Sequence, residues 1–146
     1  MTAAPALRLR AFEAGDHGAA LALWQRTPGV GLSAADAAAP VAAYLARNPG
    51  TSFVAELDGR LVGTVLCGHD GRRGLIHHLV TDPACRRQGV ARALVRTALD
   101  ALRAAGIDKC HLMVFDDNAD GRRFWQAVGA LERTELGLFS LDTRTP

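Results

Sequence analysis

The chain has 146 residues, of which 49% are hydrophobic and 22% charged, a balance typical of a soluble globular protein with one buried core. Its 17 Lys and Arg against 15 Asp and Glu leave a net charge of only +2, which argues against a dedicated nucleic-acid binder. The sequence has no signal-peptide pattern and no apolar stretch long enough to cross a bilayer, so we expect no membrane partner. Its three cysteines lack CxxC spacing, as in a reduced cytoplasmic protein. We therefore expect one cytoplasmic domain over residues 1–146.

The first elements predicted are a strand and a helix. Residues 8–12 (RLRAF) alternate apolar and charged side chains, as a half-buried strand does. Asp16 then offers a cap for a helix over 17–27. Further on, Ser33 and Asp36 have the spacing of a capping pair, which predicts the start of a second helical region.

A hairpin follows the second helical region. Pro40 is expected to divide that region and to leave a better helix over 40–48. Two apolar runs, 52–57 and 60–68, then flank an Asp-Gly pair at 58–59. Asp-Gly between apolar runs is a strong signal for a tight turn, so these runs predict two antiparallel strands.

The second half of the chain continues the alternation of strands and helices. The predicted elements are a strand over 74–81, a helix over 89–105, a strand over 109–115, a helix over 116–130 and a final hairpin over 131–141. Strands and helices in this order predict a mixed α/β fold around one central sheet.

A basic, glycine-bearing loop lies between the strand at 74–81 and the helix that follows it. A helix start leaves backbone N–H groups without partners and attracts anions. Gly89 and the small Ala91 let the backbone approach a ligand, while Arg86, Arg87 and Arg92 suit phosphate oxygens. The loop by itself fits either an anion site or a solvated basic turn.

Two sequence segments together resemble those of one family. Val80-Thr81-Asp82-Pro83 followed by residues 86–91 (RRQGVA) is similar to the strand, turn and Q/R-x-x-G-x-G/A loop of the GCN5-related N-acetyltransferases (GNATs). Asn118, followed by Phe124-Trp125 and Gly129, resembles the N…FYxxxGF segment of that family. The order of the elements agrees over about residues 7–141.

The resemblance implies an acyl-CoA N-acyltransferase fold, with a central, mostly antiparallel sheet whose middle strands splay apart and are flanked by helices. It also implies an acetyl-CoA-dependent N-acetyltransferase that needs no metal. Acetyl-CoA would be the co-substrate, and a primary amine of a small molecule or a peptide would be the acceptor. The acetyl group would pass by direct attack in a ternary complex.

The resemblance also assigns residues to the cofactor. The pantetheine arm would pair with the backbone of Leu79, Val80 and Thr81, and the Val80 N–H would stabilise the oxyanion. Asn118 would contact the pantetheine or acetyl end, and Phe124 would pack against the cofactor. The pyrophosphate would be bound by the loop residues Arg86, Arg87, Gln88, Gly89, Val90, Ala91 and Arg92.

The catalytic groups depart from the family pattern. Trp125 replaces the tyrosine that often protonates the departing thiolate, and an indole N–H is no proton source at neutral pH. Tyr44 is a distant substitute. The strands also lack the glutamate that some members use as a base, which leaves His77 and His78. Because adjacent strand residues face opposite sides, at most one should reach the cleft, and of the two we favour His78 as the base. A structural role for both histidines stays open as an equal alternative.

Other classes of function remain open at this stage. A non-catalytic acyl-CoA-binding module would keep the loop without the chemistry, and Trp125 and the missing glutamate favour that alternative. A nucleotide-binding protein is a weaker alternative, because Gly63 and Gly68 are spaced as in a P-loop but are followed by His69-Asp70. Cys67 and His69 lie on a different predicted strand from Cys110 and His111, without paired ligand spacing, so we expect no metal site. A homodimer is left open.

Overall fold

The structure is a computed structural model that describes residues 6–144. The chain divides after Phe115 into two compact units, and each is described by itself. The strands are β1 (Leu7–Ala11), β2 (Phe53–Leu57), β3 (Arg60–His69), β4 (Gly74–Thr81) and β5 (Cys110–Leu112), and the helices are α1 (His17–Arg26), α2 (Ala38–Arg47), α3 (Val90–Ala104) and α4 (Ala119–Ala127). The first unit contains all of these except α4.

The first unit is built on one sheet in the order β1-β2-β3-β4-β5. Neighbours from β1 to β4 are antiparallel. The β2–β3 turn has positive φ at both Asp58 (50°) and Gly59 (75°), as the predicted tight hairpin requires. β5 is parallel to β4, and α3 supplies the crossover that a parallel pair needs.

Helices cover both faces of this sheet. α3 lies on one face, where a Cβ at Gly63 would come within 3.0 Å of Val90 and Leu94, so the glycine permits close packing of α3 on β3. Trp24 of α1 occupies the other face and is only 1% exposed. The buried side chains that pack with Trp24 include Phe12, Leu23, Val41, Leu66 and Val80.

The structure confirms the mixed α/β fold with a central, mostly antiparallel sheet. The strand predicted over 74–81 is β4, and the helix predicted over 89–105 contains α3. None of the helices described between residues 6 and 144 is long and apolar enough to cross a membrane. The single domain and the cytoplasmic location stay predictions.

Pro40 does not divide the second helical region. α2 begins at Ala38 and includes Pro40 in its first turn, where the missing N–H would have had no helical partner. Ser33 and Asp36 form the predicted capping box, but they cap a 3-10 turn, Ala34–Asp36, that precedes the helix.

Two strand predictions near the C-terminus are wrong. The strand expected over 109–115 is limited to Cys110–Leu112, because β4 has a bulge just beyond the residues that pair with β5. The described residues 131–141 contain no strand where the final hairpin was expected. Their large apolar side chains are exposed, so no buried face supports strand pairing there: Leu131, Leu136, Leu138, Phe139 and Leu141.

Candidate functional site

The second half of β4 has an open edge. β4 pairs with β5 only from Gly74 to Ile76, but it continues to Thr81 alongside β3. Among the described residues no strand pairs with the other side of residues 77–81, which we call the open edge of β4. Backbone groups along such an edge are available to an extended ligand.

A β-bulge interrupts β4 at His78. The register with β3 shifts between Thr64 and Leu66, and His78 has a left-handed φ of 46°. The bulge cancels the alternation of side chains at this point, so His77 and His78 lie on the same face, with ring centroids 6.5 Å apart. The expectation that adjacent strand residues face opposite sides is therefore wrong here.

His78 is held by three neighbours from distant parts of the chain. Its Nε2 lies 2.6 Å from Oδ1 of Asp36, and its ring packs against Trp24, with centroids 4.6 Å apart and the planes tilted by 45°. Its carbonyl oxygen accepts a 2.8 Å hydrogen bond from Thr64 Oγ1. Trp24, Asp36, Thr64 and His78 are called the His78 cluster below.

The Thr64 bond orients the peptide between His78 and Leu79. Thr64 Oγ1 accepts from Trp24 Nε1 at 2.9 Å and donates to the His78 carbonyl, which fixes that carbonyl on the β3 side. Because a trans peptide directs its C=O and N–H to opposite sides, the Leu79 N–H points toward the open edge.

The β3–β4 ladder leads to the same orientation. The Asp82 N–H donates to the Val62 carbonyl at 2.7 Å, and Thr64 lies opposite Val80 two residues away. Hydrogen-bonded pairs alternate along an antiparallel ladder, so the Val80 N–H points toward β3. The N–H groups of Leu79 and Thr81 point toward the open edge.

The 3-10 turn at Ala34–Asp36 is tied to the first helix and to β4. Oδ2 of Asp36 accepts from the Ser33 N–H at 2.8 Å, while its backbone oxygen lies 2.7 Å from His17 Nε2. Sequence reasoning identified Asp36 only as a cap. It missed Asp36, Thr64 and Trp24 as partners of a predicted site residue, because no local pattern signals contacts so distant along the chain.

His77 and Tyr44 form a second pair on the same face. Their ring centroids are 6.0 Å apart. Burial lowers the pKa of His77 below 6.5, the nearby His78 acts in the same direction, and Asp36 opposes them. Burial raises the pKa of the Tyr44 phenol above 10. The buried Tyr44 hydroxyl has no partner among the described residues and lies over Gly68 on β3, away from the open edge.

The basic loop at 86–92 connects the open edge with α3. Arg87 and Gly89 have left-handed φ values of 66° and 77°, which curl the backbone before the helix. The first bond of α3 runs from the Ala93 N–H to the Gly89 carbonyl, so the preceding amides lie at a positive helix end. These amides and the exposed side chain of Arg92 are suitable ligands for an anion.

Asp82 fixes the turn that leads into this loop. Its Oδ1 accepts from the Ala84 N–H at 3.0 Å, and its Oδ2 accepts from Arg26 Nη2 at 2.9 Å. The Ala84 amide, then Arg26, hold the pKa of the Asp82 carboxyl below its ordinary value. α1 and the loop are therefore joined through one buried carboxylate.

A buried hydroxyl at the end of β4 favours the fit of a pantetheine arm to the open edge. Thr81 Oγ1 is buried and has no hydrogen-bond partner among the described residues. A buried hydroxyl without a partner is costly. Thr81 also directs its N–H toward the open edge, so this end of β4 offers polar groups that an amide-bearing arm would satisfy.

The remaining predicted residues lie in the second unit. Asn118 caps α4, where its Oδ1 accepts from the Gly121 N–H at 3.0 Å. Phe124 and Trp125 meet edge to face, with centroids 5.2 Å apart. Their roles toward a cofactor stay predictions. No group of three or more His, Cys, Asp or Glu suited to a metal occurs in the part of the chain that is described.

Comparison with known sequences matches one family over most of the chain. The sequence model of the acetyltransferase (GNAT) family matches residues 19–130. An acetyltransferase from Pectobacterium atrosepticum is 35% identical over 112 residues, which cover 77% of this chain and 79% of that protein.

Solved structures share the fold. Ard1 from Thermoplasma volcanium has a TM-score of 0.75 at 22% identity and covers 85% of this chain and 82% of its own. An aminoglycoside N-acetyltransferase in complex with CoA has a TM-score of 0.75 at 19% identity, over 98% of this chain and 99% of its own.

Proposed function

The chain belongs to the GNAT family and is an acetyl-CoA-dependent N-acetyltransferase, and we propose that it acetylates a primary amine by direct attack within a ternary complex. The observation that carries this proposal is the open edge of β4, which runs into the N-terminus of α3 and lies beside the His78 cluster. One strand thus offers backbone groups to the acetyl donor and a basic side chain to the acceptor.

Acetyl-CoA supplies a thioester carbonyl and a thiolate leaving group. The open edge, with Leu79, Val80 and Thr81, would bind the pantetheine arm as an added strand. The amides of residues 87–92 and the positive end of α3 would bind the pyrophosphate. Backbone groups do most of this binding, so Gly89 matters more than the identity of the arginines.

We assign the oxyanion donor to the Leu79 N–H in place of the Val80 N–H. The Leu79 amide points toward the open edge, whereas the Val80 amide is directed toward β3. Thr64 holds the peptide that contains the Leu79 N–H, so this donor needs no reorientation when negative charge develops on the carbonyl oxygen.

His78 is the proposed base. The ammonium form of the amine loses one proton to His78 Nδ1, and the neutral nitrogen bonds to the carbonyl carbon. The tetrahedral intermediate passes its second N–H proton to the departing sulfur as the carbon–sulfur bond breaks, which releases CoA thiol. An alkylamine has an ordinary pKa of about 10, so a base is needed at neutral pH. His77 is the weaker candidate, because burial lowers its pKa and its ring faces Tyr44 rather than a carboxylate.

Direct attack is favoured by the state of the cysteines. Cys85, next to the loop, is 4% exposed, and burial raises the pKa of Cys67 to about 12. Burial also raises the pKa of Cys110. A buried thiol with a raised pKa is a poor nucleophile, which disfavours an acetyl-cysteine intermediate.

A panel of amines tests the function. Purified protein is incubated with acetyl-CoA and small primary amines, peptides with free N-termini and lysine peptides, while thiol release and N-acetyl products are measured. We expect thiol and amide in equal amounts, intersecting initial-velocity lines, and a loss of kcat/KM of ~10²- to 10⁴-fold in His78→Gln. Tight acetyl-CoA binding without turnover for any amine, or parallel lines, would contradict the proposal.

A further inference from the structure

Asp36 is placed to act on the reaction without touching a substrate. Its side chain is 13% exposed and that of His78 is 14% exposed, so their contact is shielded from water. Both carboxylate oxygens are engaged, one by His78 Nε2 and the other by the Ser33 N–H. The turn holds the carboxylate in place while Trp24 packs against the imidazole ring.

We propose that Asp36 is a positioning residue that fixes the tautomer and orientation of His78, and thereby leaves Nδ1 as the proton-accepting nitrogen. The proposal rests on the role of His78 as base in the proposed function. It adds a residue from the segment between α1 and α2 to a site whose backbone part lies on β4 and α3.

The tautomer follows from hydrogen-bonding capacity. An ionised carboxylate only accepts, so Nε2 of His78 must carry the proton that it donates to Asp36. A neutral imidazole has one N–H and one lone pair, and the lone pair is then on Nδ1. The buried polar side-chain atoms without partners in the described residues are Tyr44 Oη and Thr81 Oγ1. Nδ1 of His78 is not among them and has no hydrogen-bond partner within residues 6–144, so it is not enclosed by that part of the chain.

The groups that face His78 determine which residues could influence its protonation. Between residues 6 and 144, the titratable groups found against it are Asp36 from the turn and His77 from β4 itself. α1 and β3 face it with Trp24 and Thr64, which do not titrate near neutral pH. Asp36 is therefore the charged partner whose replacement should alter the pH profile.

Asp36→Asn is the test variant. The asparagine keeps an oxygen for the Ser33 N–H but turns its NH₂ toward His78, which favours the lone pair on Nε2 and the proton on Nδ1. We expect kcat/KM for the amine to fall by ~10²-fold or more, with a changed acid limb of its pH profile and an unchanged Kd for acetyl-CoA. In ¹⁵N NMR the His78 ring should change from the Nε2–H to the Nδ1–H tautomer.

Two further variants separate positioning from support of the turn. His17→Ala removes the other anchor of the turn, at the Asp36 carbonyl, and should lower Tm without changing the tautomer or the pH profile. Asp36→Glu keeps a carboxylate and should recover part of the activity lost in Asp36→Asn. Melting curves and circular dichroism identify a variant that fails to fold, and the tautomer is then read in Asp36→Glu.

The outcomes distinguish the positioning role of Asp36 from the proposed role of His78 as base. If His78→Gln is inactive while Asp36→Asn keeps the activity and tautomer of the parent chain, the role of Asp36 is wrong and the base assignment stands. If His78→Gln is fully active, both are wrong. If His17→Ala matches Asp36→Asn in activity and pH profile, Asp36 only supports the turn and the inference is overturned.

Discussion

The open edge of β4 and the His78 cluster lie on one strand but are built in different ways. The open edge and the loop after it are contiguous in sequence and present backbone amides. The His78 cluster instead joins side chains of residues 24, 36, 64 and 78, from a helix, a turn and two strands. Substitutions at the edge should therefore act through φ and ψ, and substitutions in the cluster through lost side-chain atoms.

At the open edge and the loop after it, the largest effect is expected from Gly89→Val. Gly89 has a φ of 77° and a Cβ there would meet no atom within 4 Å, so backbone strain alone should cause any change. The left-handed conformation costs an L-residue ~1–2 kcal/mol, more for a β-branched side chain. We expect KM for acetyl-CoA to rise by about tenfold or more, with a small change in KM for the amine, as measured by steady-state kinetics.

Gly59→Val is the matched control. Gly59 has a φ of 75° and an equally open surrounding, in the β2–β3 turn. It should lower the free energy of unfolding without affecting KM for acetyl-CoA. Equal kinetic effects of the two substitutions would mean that the loop has no special role for its backbone.

Thr64→Val should have the next largest effect, in the cluster. The substitution keeps the shape of the side chain but leaves the buried Trp24 Nε1–H and the His78 carbonyl without their partner. Each lost partner costs ~1–3 kcal/mol, and the Leu79 N–H loses one of the two restraints on its direction, so we expect kcat to fall by about tenfold. Denaturant titration and single-turnover rates measure the two effects.

Thr64→Ser separates the hydroxyl from the methyl group. It keeps both hydrogen bonds and should retain most of the catalytic rate. If Thr64→Val is destabilised but acetylates at the rate of the parent chain, the hydroxyl does not orient the oxyanion donor.

The sequence predicts the two regions to very different extents. A strand, a stop at Asp82-Pro83 and a glycine before an amphipathic helix are local signals, so β4, the loop and α3 follow from them, whereas the open edge is predicted only from the family resemblance. The bulge at His78 follows from pairing with β3 and has no local signal. Without the bulge the alternation rule separates His77 from His78. The contact between Asp36 and His78 likewise depends on the tertiary fold, since the local sequence around Asp36 indicates only a helix cap.

Asp82→Asn should have a moderate effect that depends on pH. The carboxyl has a lowered pKa, chiefly through the Ala84 amide and then Arg26, so its contribution to stability is complete above about pH 4 and is lost as the pH falls further. Asparagine keeps an acceptor for Ala84 but not the charge. We expect a loss of up to ~1 kcal/mol at pH 7, and unfolding curves that converge with those of the parent chain toward pH 2. Asp58→Asn, in the exposed β2–β3 turn, should change neither the stability at pH 7 nor its dependence on pH.

The smallest effect on activity is expected from His77→Gln, which tests whether His77 takes part in catalysis beside His78. Burial and the nearby His78 lower the pKa of His77, so its ring is neutral at pH 7 and kcat should change by less than about threefold, or ~0.6 kcal/mol. A lowered pKa means that the unfolded chain binds the proton more tightly, so the parent chain loses stability as the pH falls below about 6.5. The variant should lose less over that range in urea titrations. A fall in kcat as large as that of His78→Gln would instead indicate that both rings take part in moving the proton.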